Sequence, residues 1–115
     1  MKRDAILFIE DILENISDIE VFSKGLSKES MAKDKLKQKA IIRSLEVMGE
    51  AVKNIPNTLK QKYPFVEWNK IAGMRDIIIH GYFRVDLDAV WNVIKNDIKK
   101  LKKQMEKIKK ELDKA

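Results

Sequence analysis

Residues 87–112 read LDAVWNVIKNDIKKLKKQMEKIKKEL, and their apolar members keep a helical period. Leu87, Trp91, Ile94, Ile98, Leu101, Met105, Ile108 and Leu112 step by alternating fours and threes for more than three heptads. That spacing gathers side chains onto one stripe of an α-helix. Asp86 stands where an N-cap belongs, and Asp88 lies near the positive end of the helix dipole. At about 1.5 Å per residue the helix spans roughly 39 Å, enough to project beyond a bundle or to pack on a partner chain.

The same period runs back towards the N-terminus. Ala5, Ile9, Ile12, Ile16 and Ile19 form the stripe of a first helix, broken at Gly25 and Ser27 before a polar, Lys-rich stretch. Ile41, Leu45, Met48, Val52 and Ile55 mark a second helix. It ends near Asn54–Pro56, because proline disfavours helix at the residue before it. A short helical piece can start from Pro56, and Tyr63–Pro64 is another punctuation. Glu67 to His80 reads as a third substantial helix, with Gly81 placed to stop it. The expected fold is all-α, an antiparallel four-helix bundle with an additional short helix and a long C-terminal helix. It forms one domain over residues 1–115.

Composition prunes the chemistry. A chain of 115 residues buries one modest core, not a doubly wound sheet or a barrel with its helices. At 44% hydrophobic it carries too much apolar material for a disordered chain. With no cysteine there are no disulfides, thiolate metal sites or cysteine nucleophiles, and one histidine rules out an intrachain multi-His zinc site. Asp4, Glu10, Asp11 and Glu14 interrupt the opening apolar run, so neither a signal peptide nor a membrane span is read there. The cytoplasm is the expected location.

Net charge is +6, unevenly spread. Residues 1–20 set two bases against six acids, residues 24–43 set seven bases against two acids, and residues 95–115 set nine lysines against four acids. Basic clusters of this kind attract polyanions through counterion release, although the common outcome for a Lys-rich run is a solvated helix face.

The chemistry concentrates in Trp68 to Asp88, WNKIAGMRDIIIHGYFRVDLD, which holds the only histidine and two of the four arginines. Ile77, Ile78 and Ile79 suggest a buried terminal turn beside His80. A lone histidine near apolar residues is usually structural, but Arg75, Asp76, Tyr82 and Arg84 crowd this one. Asp76 and His80, four apart, would share a helix face, where a carboxylate orients an imidazole and raises its pKa. Arg75 and His80, five apart, lie about 140° around an ideal helix. For both to meet one phosphate, Arg75 must reach around or the helix must deform. Arginine suits phosphate because its planar donors bind two oxygens together. Metal-free RNA cleavage needs a base, an acid and a cation at the phosphorane. One His and one Arg per chain supply half of a two-histidine site, and a symmetric dimer supplies the rest. Glu46, Glu50 and Asp76 make only an unspecific candidate for a two-metal site.

Arg75-Asp76-Ile77-Ile78-Ile79-His80-Gly81-Tyr82 resembles the R-x-x-x-x-H-x-Y signature of HepT-like proteins, in the HEPN ribonuclease superfamily. Glu46 to Ala51 is similar to the family's second-helix segment. Tyr63-Pro64 to Trp68, Ile71 to Met74 and Phe83 to Trp91 continue the likeness, which covers most of residues 40–98 in order. The resemblance implies a HEPN-like bundle and a toxin of a type VII-like toxin–antitoxin system that cleaves RNA with no metal or cofactor. It implies a homodimer, or a higher oligomer, with the motif at the interface. Arg75 and His80 are then the catalytic pair and Asp76 a supporting residue. An MntA-like minimal nucleotidyltransferase antitoxin would add AMP to Tyr82, placing charge and bulk beside the pair. The residue after the motif arginine is often Asn in HEPN ribonucleases. Asp76 here either tunes His80 or weakens phosphate binding.

Two other readings compete. The chain can be a non-catalytic nucleotide- or substrate-binding subunit of a nucleotidyltransferase complex. It can also be a structural helical dimer built on Trp68, Trp91 and the long heptad.

Overall fold

The computed structural model describes residues 2–80 and 84–114. It is all-α apart from one two-residue strand pair. Helix α1 (Lys2–Ser23) ends at a turn through Gly25, whose φ of 76° lies in the left-handed region. Glycine enters that region without the Cβ clash other residues meet. The Lys-rich stretch then forms a helix the apolar period does not signal, α2 (Lys28–Lys33). A capping box starts it, Ser27 Oγ accepting from Ser30 N–H while Ser30 Oγ accepts from Ser27 N–H. Asp34 caps the next helix, α3 (Lys35–Asn54), by accepting from the Lys37 N–H at 3.0 Å. That helix stops before Pro56 as expected, and Pro56 serves as N-cap of α4 (Asn57–Lys62) rather than as its first helical residue.

The predicted helix over 67–80 is two pieces, α5 (Trp68–Ala72) and α6 (Met74–Ile78), interrupted at Gly73. The final segment does run as one helix. Helix α7 (Leu87–Asn92) passes through a π-helical turn (Val93–Asp97) into α8 (Ile98–Lys114). Asp86 caps it, its carboxylate accepting from the Ala89 N–H at 3.0 Å. Residues 87–114 would reach about 42 Å at helical rise, close to the 46 Å long axis of the molecule.

The predicted stripes meet in a continuous apolar core. Ile9, Ile12, Ile16, Ile19, Ile41, Met48, Val52, Met105 and Ile108 are wholly shielded. The long last helix lies along α1 instead of projecting. Lys102 reaches Glu20 at 3.1 Å and Lys109 reaches Glu10 at 3.4 Å, fixing the two helices antiparallel. At its start the expected stripe turns. Val90 and Val93 are buried, while Leu87 and Trp91 are only half-buried. The π turn, with more residues than an α turn, re-phases the face between Val90 and Ile98. Trp68 is a core residue whose indole N–H donates to the carbonyls of Tyr63 and Lys60, closing the end of α4. It therefore does not build an intersubunit face, as the structural-dimer reading required. No helix among the described residues is long and apolar enough to cross a membrane.

Candidate functional site

Helix α3 presents two faces. Ile41, Leu45, Met48 and Val52 are buried. Arg43, Glu46, Glu50 and Lys53, spaced by three and four, form a polar stripe on another side. Helix α5 packs close to that helix because position 49 is glycine. A Cβ there would stand 3.2 Å from the Ala72 carbonyl oxygen and 3.4 Å from that of Ile71. The chain breaks at Gly73 and re-enters helix at Met74. Met74 and Ile78, four apart, are buried and anchor α6, which leaves Arg75 and Asp76 exposed.

Together these elements form a groove of about 550 Å³, lined by Arg43, Glu46, Glu50, Lys53, Arg75 and Asp76 among others. Arg75 Nε donates to Glu46 Oε2 at 3.0 Å. The bond occupies Nε, and no described residue takes the donors of the two terminal amino groups. The Arg75 side chain is 58% exposed and that of Glu46 31%. A pair this open adds at most about 1 kcal/mol to stability, so its main effect is to fix the direction of the guanidinium. Glu50 is paired with Lys53 at 3.2 Å. Among the described residues no three His, Asp or Glu side chains gather as metal ligands would.

The expectation that Asp76 and His80 share a helix face does not hold. Helix α6 ends at Ile78 and the backbone becomes extended at Ile79, with φ −108° and ψ 116°. The β-branched run Ile77–Ile79 is the physical reason, since such side chains crowd a helix and suit a strand. Its burial is also partial, Ile78 being inside the core and Ile77 42% exposed. Strand β1 (Ile79–His80) pairs antiparallel with β2 (Arg84–Val85), His80 opposite Arg84. Beside that pair the Asp86 N–H donates to the Ile78 carbonyl at 2.7 Å. The 140° separation of Arg75 and His80 therefore does not apply, because the helix gives way between them. Gly81 and Tyr82 lie outside the described residues.

Glu46 as the partner of Arg75, and Arg43 and Lys53 beside it, were not assigned to the site from sequence. The signal was present in the three-and-four spacing of the polar stripe on α3.

The sequence matches the family described as "Ribonuclease HepT-like" over residues 12–108. "Probable ribonuclease HepT" of Thermococcus cleftensis is 46% identical over 110 residues, 96% of this chain and 100% of that protein. "Putative RNase MJ1216" of Methanocaldococcus jannaschii is 45% identical over 112 residues, 97% of this chain and 93% of that protein. "Gamma-glutamylcyclotransferase and putative RNase MJ0434" of the same organism is 43% identical over 114 residues. That is 99% of this chain but 51% of the relative, so the chain spans about half its length. No solved structure matches the chain. On a family match that spans most of its length, the chain belongs to the HepT-like ribonuclease family.

Proposed function

We propose that this chain is an endoribonuclease acting at Arg75 and His80, without metal, as the toxin of a two-component toxin–antitoxin pair. Ribonuclease is the activity its family and relatives are named for. The observation that carries the site is the Arg75–Glu46 clasp on the groove between α3 and α6, next to the point where the chain leaves the helix towards His80. An oriented guanidinium whose terminal donors meet no acceptor among the described residues is suited to a phosphate bearing extra charge in the transition state.

In this reading the His80 imidazole takes the proton of a ribose 2′-hydroxyl. The 2′-oxygen attacks the adjacent phosphorus, and the 5′-oxygen leaves with a proton supplied by His80 of a second copy. The products are a 2′,3′-cyclic phosphate and a 5′-hydroxyl. Such proton transfer contributes about 10²–10⁴-fold. One His per chain is why the active unit is a twofold dimer with residues 75–82 facing a shared cleft. Asp76, on the same groove, is the supporting anion. Tyr82 is the residue a cognate MntA-like nucleotidyltransferase modifies with AMP, closing the site by repulsion and bulk. Residues 1–115 act as one cytoplasmic domain, with the α5–α6 segment standing as the fourth helix of a HEPN-like bundle.

Expression of the chain alone should arrest growth, and His80→Ala should relieve the arrest. Co-expression with the nucleotidyltransferase should add AMP, read by intact mass, and Tyr82→Phe should abolish the addition. Neutralisation undiminished in Tyr82→Phe would make masking by complex formation the mechanism instead.

A further inference from the structure

The two basic clusters of the sequence look alike in composition, but the fold treats them differently. In the C-terminal cluster Lys100, Lys102 and Lys109 are held by Glu67, Glu20 and Glu10. Lys95 and Lys107 stand over the rings of Trp91 and Phe65 at 4.7 Å and 5.2 Å. Lys100, Lys102, Lys107 and Lys109, four of the nine lysines in that cluster, thus fasten the last helix to the rest of the molecule. Among the described residues, the bases of residues 24–43 form one ion pair, Lys28 with Asp88. Lys35, Lys39 and Arg43 stand at intervals of four along α3, all exposed and without an acid partner among the described residues. Intervals of four place one cation at about every 6 Å along the helix. Arg43 also lines the groove that holds Arg75.

We infer that Lys35, Lys39 and Arg43 form a binding surface for the phosphate backbone of single-stranded RNA, leading along α3 into the Arg75 groove. The inference rests on the ribonuclease reading and names the part of the fold that holds the strand on one side of the cut. Unpaired cations release counterions when phosphates replace their salt atmosphere, whereas lysines already held by carboxylates release fewer. The arrangement carries no base-reading groups, so this surface holds RNA without selecting its sequence.

The test uses a short single-stranded RNA bearing 2′-O-methyl groups, which lacks the attacking hydroxyl and stays intact with the wild-type protein. Affinity is measured by fluorescence anisotropy across a salt series. Three proteins are compared, wild type, the triple variant Lys35→Gln/Lys39→Gln/Arg43→Gln, and the charge-matched Lys100→Gln/Lys102→Gln/Lys109→Gln on α8, whose lysines are held by carboxylates. The α3 triple should weaken binding about tenfold or more near 0.1 M salt and flatten the log–log salt slope by about 2, at roughly 0.7 per phosphate. The α8 triple should leave that slope close to wild type. Equal losses in both triples, or an unchanged slope in the α3 triple, overturn the inference while leaving RNA cleavage standing. An α3 triple that binds RNA normally but sediments as a smaller species assigns the face to a second copy and also overturns it. A folded wild type with no affinity for the RNA overturns the inference and the ribonuclease reading together. Circular dichroism establishes that each variant is folded.

Discussion

Arg75 and Glu46 lie 29 residues apart in the chain and meet through a single hydrogen bond. Glu46→Gln keeps the shape but removes the charge that fixes the guanidinium. Thermal stability should change by well under 1 kcal/mol, as for other exposed pairs. kcat/KM for RNA cleavage should fall by about tenfold, equivalent to about 1.4 kcal/mol, with most of the loss in kcat. Arg75→Lys retains the charge and loses the fork, and should cost about 10²-fold. If Glu46→Gln cleaves like wild type, the clasp does not position Arg75 for chemistry. Residue type and neighbourhood single out Arg75 and His80 as candidates. Glu46 was visible as one of three scattered carboxylates and as the start of the family-like segment, but its pairing with Arg75 was not, because spacing marks the polar stripe of α3 while packing decides which turn of it faces α6.

The elements themselves were legible where apolar period and capping agreed. The stripes of α1, α3 and α8 and the Asp86 cap follow from spacing and residue type. Asp86→Ala should therefore cost about 1 kcal/mol, lowering the melting temperature by about 4 °C. A melting curve superimposable on wild type would show that the cap is not holding the last helix. The break in the 67–80 segment was not legible, since Gly73 is tolerated in many helices and the isoleucine run fits either a buried helix or a strand. Tertiary packing decides it through Gly49, where the α5 carbonyls sit directly on α3. Gly49→Val fills that contact from a rigid backbone and should destabilise by about 2–3 kcal/mol, the cost of overpacking. Unchanged stability on urea denaturation would mean that α5 can move away freely. The π turn was likewise hidden, because the sequence stripe runs unbroken through it while Val90 and Val93 take the buried side.

At the scale of the whole molecule, the acidic first helix and the basic last helix answer one another, joined by Glu20–Lys102 and Glu10–Lys109. Both pairs are partly exposed and each contributes under about 1 kcal/mol. The melting temperature should therefore move little between low and moderate salt while RNA affinity falls steeply. A melting temperature that tracks the loss of RNA affinity would mean that salt acts on the fold instead. Charge segregation was plain in the sequence, but which lysines of the last helix are engaged required knowing that α8 lies antiparallel on α1. The central claim is that Arg75 and His80 cut RNA. It is tested most directly by incubating a 5′-labelled single-stranded RNA with wild type, Arg75→Ala and His80→Ala in EDTA and identifying the new ends. Wild type should leave 2′,3′-cyclic phosphates, and each variant, folded by circular dichroism, should be slower by about 10² or more. Undiminished cleavage by His80→Ala, or strict dependence of the wild type on Mg²⁺, would contradict it.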